Sequence, residues 1–508
     1  MRIDLYKLRN FLAALVVGAA MMIGAPARLA VAQERHSSQA FAQSEAQKLA
    51  LHNRTYEDPS SVPGKTVFSA EDEKFLDDLQ RRGIQFFMDE QHPETGLMPD
   101  RARAKGGASN NVASIASVGF GLTLMCIGVE RGWVKKDDAY ERSMRVLKFL
   151  RDKCKSEHGH FYHFLDMKTG ERVWNCEVSN IDTAILMAGV LTVRQYFPNT
   201  ELSKIANELY ERVEWPWLKQ GDDVLCMGWK PESANELTIV GKEAVNGKVE
   251  LRAKQEGQFL EARWGGYSEG PVLIVLLGMG SKTHPLPPAA WDAWKREKVI
   301  TYQGLTFISC PPLFTHQYPQ CWFDLRGMRD DYANYFRNGQ LATIAMRQWT
   351  IDELSKQYKS YSANIWGLTA SDYKDGYTAW GGPPAQGPID GTVVPAAAAG
   401  SLAFTPRICI DALKAMREKY GEKGYVKYGF VDAFNPGTGW YNADVIGIDV
   451  GPSVLMAENA RSAFVWKLFM SAPEAKAALK AAAFRPLGTE NEQENSPVNS
   501  VFTGAKEK

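Results

Sequence analysis

The sequence predicts an all-α fold, helix packed on helix, with short β excursions. Three observations carry that prediction. Amphipathic segments with one charged face recur at roughly 70–90, 137–153, 200–214 and 406–420. Gly/Ala-rich segments apolar on nearly every side recur at roughly 112–130, 180–196, 269–279, 392–403 and 452–469. A helix apolar all round must lie between other elements. The two kinds also alternate along the chain. Residues 331–346 read as a further inner helix, and 288–298 and 351–359 as outer ones, which gives about six of each. Such alternation is what a closed double ring of helix hairpins needs.

Arg2, Lys7 and Arg9 precede an apolar run from Phe11 to Ile23, and Ala30-Val31-Ala32 follows as a small-x-small site. This is the layout of a secretory signal peptide over 1–32, and the run is short for a membrane span. An uncleaved anchor is the alternative. Residues 33–68 are polar and end in Pro- and Ser-rich chain, the composition of an arm or linker. Ser69, with Asp72 three residues on, predicts a capping box opening the first helix. Val224–Met227, Leu237–Val240 and Leu305–Ile308 read as short strands. Beyond about Pro486 the chain is Glu/Asn/Gln-rich, and 486–508 is expected to be a disordered tail.

Lys+Arg and Asp+Glu both number 59, so no basic field exists to hold nucleic acid or an anionic membrane. After signal cleavage no stable membrane insertion is expected. Seven cysteines at wide spacings form no CxxC or Cys/His cluster. In an oxidising compartment Cys310–Cys321 is the pair nearest in sequence, although most cysteines read as buried small hydrophobes. His158, His160 and His163 are close together, but with no carboxylate partner assigned no metal is called for. Gly278-Met279-Gly280 lacks the third glycine of a dinucleotide loop, and no cofactor is implied.

Polar residues gather just before the inner helices. Asn180-Ile181-Asp182, Asp324-Leu325-Arg326, Asp390-Gly391-Thr392 and Asp449-Val450-Gly451 are such places. Each Asp has two readings, an N-cap or a functional carboxylate at one shared end of the helix stack. Glu269 differs, because Glu is a poor N-cap and Trp264 and Tyr267 precede it. A carboxyl beside aromatic rings loses solvation and moves toward the range of a general acid. Trp366, Thr369, Asp372, Tyr377 and the Trp440-Tyr441-Asn442 loop combine rings with hydrogen-bonding groups, a mixture suited to sugars. Most of the 14 tryptophans still read as core.

These residues carry a likeness. Tyr267-Ser268-Glu269, Gly278-x-Gly280-Ser281-x-Thr283-His284-Pro285, Asp324-x-Arg326-Gly327 and Trp366-Gly367-Leu368-Thr369-Ala370-Ser371-Asp372 come first. Asp390-Gly391-Thr392, Asp432-Ala433-Phe434-Asn435, Asp449-x-Gly451-Pro452 and Glu458-Asn459-x-Arg461 follow in order. Over about 75–475 the chain resembles the glycoamylase-like domain of bacterial endo-β-1,2-glucanases and of the processing domain of cyclic β-1,2-glucan synthases. The resemblance implies an (α/α)6 barrel, here 69–475, and an inverting glycosidase with a β-1,2-glucan or oligosaccharide substrate. It places the general acid at Glu269. Asp182 and Asp449 are the candidates for the base. Trp264, Tyr267, Arg326, Trp366, Thr369, Asp372, Tyr377, Asp390, Tyr441 and Glu458 are the candidates for substrate binding. Gly270-Pro271 is smaller than the resemblance leads one to expect. A retaining transglycosylase, a polysaccharide lyase and a non-catalytic glycan-binding protein are the rival readings.

Overall fold

The computed structural model describes residues 68–107, 110–232, 239–245, 248–253 and 257–487. The expected signal peptide, the arm up to residue 67 and the tail from residue 488 lie outside the described residues.

The molecule is built mainly of helices, and their starts follow local chemistry. Ser69 caps α1 (Ala70–Glu90) with the predicted box, its Oγ accepting from Asp72 N at 3.2 Å while the Asp72 carboxylate accepts from Ser69 N at 3.0 Å. Ser114 caps α2 (Ile115–Glu130), which is buried on every side from Ile115 to Gly128. The amphipathic α3 (Lys136–Asp152) follows it. Ser179 caps α4 (Asn180–Tyr196), again almost wholly buried, and Thr200 caps the amphipathic α5 (Glu201–Glu211). Every residue of α6 (Glu269–Gly280) is buried. Beyond it come the short α7 (Ala289–Asp292), the fully buried α8 (Phe314–Trp322) and α9 (Tyr335–Trp349), capped by Asn334. The chain continues through α10 (Pro395–Ala399), α11 (Pro406–Gly424), α12 (Gly447–Ser462), α13 (Phe464–Phe469) and α14 (Pro473–Ala481).

The apolar helices pack on one another. Helix α2 lies on α4, α4 on α6, α6 on α8, α8 and α10 on α12, and α12 on α2. The amphipathic helices sit outside them: α1 on α12 and α2, α3 on α2, α5 on α4, α9 on α8 and α11 on α10. Helices α2 and α4 approach so closely that a Cβ on Gly189 would lie 2.1 Å from the Gly119 carbonyl oxygen. Glycine is required there because backbone meets backbone.

Short strands fix where the inner helices begin. Val112–Ser114, Val178–Ser179 and Asp444–Ile446 run straight into α2, α4 and α12. They pair antiparallel with Phe164–Asp166, Gly228–Lys230 and Arg101–Arg103 respectively. These pairings gather helix N-termini at one end of the stack.

Several sequence expectations are corrected. The inner helix of the fourth hairpin is α8, and the segment read as inner over 331–346 is the outer α9. Helix α8 carries Thr315, His316, Gln317 and Gln320, with Pro319 inside it, so no apolar signal marks it. Its glutamine amides donate inside the fold: Gln317 Nε2 to Ala397 O at 2.9 Å, and Gln320 Nε2 to Tyr335 O at 3.0 Å. The outer element at 288–298 is only the single turn α7, and 351–359 is a π-turn over Thr350–Leu354 with one α-turn after it. Of the expected strands, Leu305–Ile308 pairs with Val299–Tyr302. The unit extends beyond 475, because α14 packs on α6 and Arg485–Pro486 pairs with Met328–Arg329. All seven cysteines are free and buried, so Cys310 and Cys321 are not joined. No helix of the described residues is long and apolar enough to cross a membrane.

Candidate active site

A cavity of about 780 Å³ opens at the end where the inner helices begin. One wall is acidic. Glu269 is the first residue of α6, 4% exposed, and its Oε2 meets no hydrogen-bond donor. Burial, with the nearby Asp182 charge adding to it, pushes the Glu269 carboxyl up to about 7. Trp264 lies across this first turn. A Cβ on Gly270 would stand 2.4 Å from its ring, so the small residue after Glu269 is what lets the indole sit there. The Trp264 indole N–H donates to Asn180 Oδ1 at 3.0 Å, which fixes the ring.

Asp182 sits in the first turn of α4, but the cap is Ser179, whose Oγ accepts from Asp182 N at 3.3 Å. Both Asp182 carboxylate oxygens have partners: Ser179 Oγ donates to Oδ2, and His163 Nε2 stands 3.4 Å from Oδ1. The other ring nitrogen of His163 lies 2.9 Å from Glu177 Oε1. Burial opposes the imidazolium charge, yet Asp182 and Glu177 outweigh it and push His163 up to about 9. A half-buried cation therefore stands between two carboxylates in the cavity wall.

The opposite wall comes from the strand Arg101–Arg103, the hairpin Ala370–Tyr373/Gly376–Ala379 and the loop into α12. Arg101 Nη1 donates to Asp372 Oδ2 at 2.6 Å, and its Nε donates to Asp100 Oδ2 at 2.8 Å. Asn442 Nδ2 bridges Asp372 Oδ2 and Asp432 Oδ2, both at 3.0 Å. Asp449, in the first turn of α12, lies behind this wall with Asp432 and is 6% exposed. Burial pushes Asp449 up to about 7; a hydrogen bond with Asp432 opposes the rise and the Asp372 charge adds to it. Rings of Phe314, Tyr318, Tyr373, Tyr377, Trp440 and Tyr441 complete the surface. Pro452 has no N–H for the Ile448 carbonyl, and the Tyr318 hydroxyl donates to that oxygen at 2.8 Å, tying α8 to α12 beneath the cavity.

Of the residues singled out in the sequence, Glu269, Asp182, Trp264, Asp372, Tyr377 and Tyr441 line this one cavity, and Asp449 stands just behind it. The others are elsewhere. Tyr267 is buried behind α6, its hydroxyl 2.9 Å from His316 Nδ1 and its ring stacked on Tyr335. Trp366 is fully buried core. Thr369 Oγ1 accepts from Phe314 N at 3.2 Å and so positions the start of α8. Asp390 Oδ1 accepts from Thr392 N at 2.8 Å, a turn before Val393. Arg326 follows the C-terminus of α8, at the far end, where it pairs with Asp324 and lies 4.3 Å over the Trp466 ring. The helix after it, α9, is an outer one, so Arg326 does not precede an inner helix.

Glu458 is also at the far end, near the C-terminus of α12. Its carboxylate takes Arg131 Nε and Nη2, both at 2.9 Å, and Gln80 Nε2 at 2.9 Å. Replacing Glu458 by Ala leaves Arg131 and Gln80 without their acceptor. We expect a loss of about 3 kcal/mol of stability, read as a lower Tm, with KM for substrate unchanged. A raised KM at unchanged Tm returns Glu458 to the binding set.

The three histidines diverge. His158 pairs with Glu214 and stacks on Trp217, His160 is buried beside Trp215, and only His163 faces the cavity. Sequence reasoning did not assign a role to His163, Glu177, Asp100, Arg101 or Asp432. The motif Asp432-Ala433-Phe434-Asn435 was the one available signal for Asp432. The others stand at no inner-helix start and are brought in by strand pairing.

Residues 261–473 match the glycoamylase family ("Putative glucoamylase"). The exo beta-1,2-glucooligosaccharide sophorohydrolase (non-reducing end) of Parabacteroides distasonis is 27% identical over 452 residues, which cover 82% of this chain and 58% of that protein. The chain thus spans less than two thirds of the length of that relative. Among solved structures, the endo-β-1,2-glucanase of Chitinophaga pinensis, in complex with sophorotriose and glucose, superposes with a TM-score of 0.72 at 29% identity, covering 82% of this chain and 99% of that one. The β-1,2-glucanase of P. distasonis gives a TM-score of 0.71 at 25% identity, with 82% and 60% covered. The matched segment includes Glu269, Asp372, Asp432 and Asp449, and over it the chain resembles the glycoamylase family.

Proposed function

We propose that this protein is a glycoside hydrolase that cleaves β-1,2-linked glucan by an inverting mechanism, with its inner and outer helices closed into an (α/α)6 barrel. The contact circuit through α2, α4, α6, α8 and α12 back to α2 supports the ring. The observation that carries the activity is Glu269: a buried carboxyl near neutrality with one oxygen unengaged, facing a cavity lined with sugar-stacking rings. The curated and structural relatives act on β-1,2-glucans, which supports the linkage.

In this reading Glu269 gives its proton to the glycosidic oxygen as the C1–O bond breaks. A water attacks C1 from the opposite face and loses its proton to a carboxylate. Asp449 is the base. Both oxygens of Asp182 are engaged by Ser179 and His163, whereas Asp449 Oδ2 takes no N–H or alcohol O–H donor. Asp182 and His163 hold the electrostatics around the acid. Trp264, Tyr377 and Tyr441 stack on sugar faces, and Asp372 accepts from hydroxyls. Export after cleavage behind Ala32 belongs to the same proposal, and N-terminal sequencing of protein from the culture or periplasm checks it.

Incubation with β-1,2-, β-1,3-, β-1,4- and β-1,6-glucans tests the activity. Short β-1,2-linked products are expected, and proton NMR of the earliest product should show the α-anomer. The β-anomer moves the protein to the retaining transglycosylase reading, an unsaturated product to a lyase, and binding without turnover to a glycan-binding protein.

A further inference from the structure

Asp432 is 3% exposed and its two oxygens are treated differently. Oδ2 accepts from Asp372 N at 2.8 Å and from Asn442 Nδ2 at 3.0 Å. Oδ1 meets no donor, and neither does Asp449 Oδ2. The two carboxyls are in hydrogen-bonding contact with each other and share a small cavity beside Val431, Ile446 and Ser453. Touching carboxylates in a water-poor interior cannot both ionise. One proton between them gives the bare Asp432 oxygen a role. Oδ2, which already takes two N–H donors, is the carbonyl oxygen, and Oδ1 carries the hydrogen.

We propose that Asp432 is a positioning residue of the hydrolytic reaction, a carboxylic acid that stays neutral and donates its Oδ1–H to Asp449, orienting the base and keeping it the ionised member of the pair. The inference rests on the reading of Asp449 as base. The charged groups facing the pair agree with the assignment of the proton. Asp372 and Asp100 are negative and discourage a second anion, and Arg101 is engaged by those two carboxylates. The Tyr318 and Tyr377 phenols, both raised by burial, remain neutral. Asn442 is itself held, since its Oδ1 accepts from Asp444 N at 3.1 Å. A rigid amide and a strand N–H thus fix which way Asp432 points.

The test uses the full chain with Asp432→Asn and Asp432→Ala, measured on β-1,2-glucan across pH. The Asn side chain keeps an N–H donor toward Asp449 and removes the second ionisation. Its kcat is expected within about ten-fold of the parent, with the acid limb of kcat/KM close to the parent's, because one neutral donor replaces another. The Ala side chain removes the donor and leaves Asp449 buried alone. Its kcat is expected to fall about 100-fold, with KM little changed and the acid limb moved to higher pH. If Ala gives no foldable protein, the position of the acid limb in Asn decides by itself. An acid limb moved to lower pH in Asn, the sign of a lost negative charge at position 432, or a folded Ala variant with parental rate and limb, overturns the inference. An active Asp449→Asn enzyme instead overturns the base assignment and is read independently.

Discussion

Glu269→Gln is expected to lower kcat on β-1,2-glucan by roughly 10²–10⁴-fold while leaving glycan binding near normal. Glutamine fits the same space at the start of α6 but has no proton to give the leaving oxygen. The same substitution should stabilise the fold at alkaline pH, and the sign can be worked out. The folded Glu269 carboxyl is raised from 4.5 to about 7, so between those values the native state binds more protons than the unfolded one. Stability therefore falls as pH rises across that window, and above it the cost reaches about 3 kcal/mol. Glutamine has no ionisation to suppress. Its Tm should exceed the parent's at pH 8 and match it near pH 4. A catalytically silent Glu269 gives no rate loss, and an exposed or well-solvated one gives no pH-dependent gain in Tm.

Asp449→Asn should remove at least 10²-fold of the rate, with a much smaller loss in Asp182→Asn. Amide nitrogen cannot take the proton from the attacking water. Asp182 is tied to Ser179 and His163, so its substitution should mainly shift the alkaline limb set by Glu269: without the Asp182 charge nearby, the acid loses its proton at lower pH. The parent enzyme should show a bell-shaped kcat/KM near neutrality, because Glu269 must hold its proton while the Asp432–Asp449 pair has given one up. Neither Asp is the cap of its helix by side-chain hydrogen bonding, so neither Asn variant should cost the stability of a lost cap. A large drop in Asp182→Asn with a near-parental Asp449→Asn reverses the two roles.

The residues that read clearly in the sequence are those whose evidence is local. The Ser69–Asp72 box, the all-round apolar pattern of α2, α4 and α6, and the aromatic residues before Glu269 depend on neighbours a few positions away. Periodicity failed where burial is achieved with polar side chains. Helix α8 is entirely buried, yet His316, Gln317 and Gln320 hide it, because their partners Asn338, Ala397 and Tyr335 are remote in sequence. That one inversion of inner and outer also misplaced Arg326.

The sequence by itself determined that the chain alternates buried and amphipathic helices, and that Glu269 opens an inner one beside aromatic rings. These follow from 3.6-residue periodicity and capping preferences, which act within a few turns. Only the tertiary structure decided which carboxylates share a cavity. Glu269, Asp182 and His163 come together through strand pairing at the helix starts, and Arg101, Asp372, Asn442, Asp432 and Asp449 through contacts spanning most of the chain. Glu458 and Asp449 sit on the same helix nine residues apart, one in a buried ion pair and one behind the cavity. The physical reason is that a carboxyl's chemistry is set by burial and by the charges around it, and both belong to the assembled fold rather than to residues adjacent in the chain.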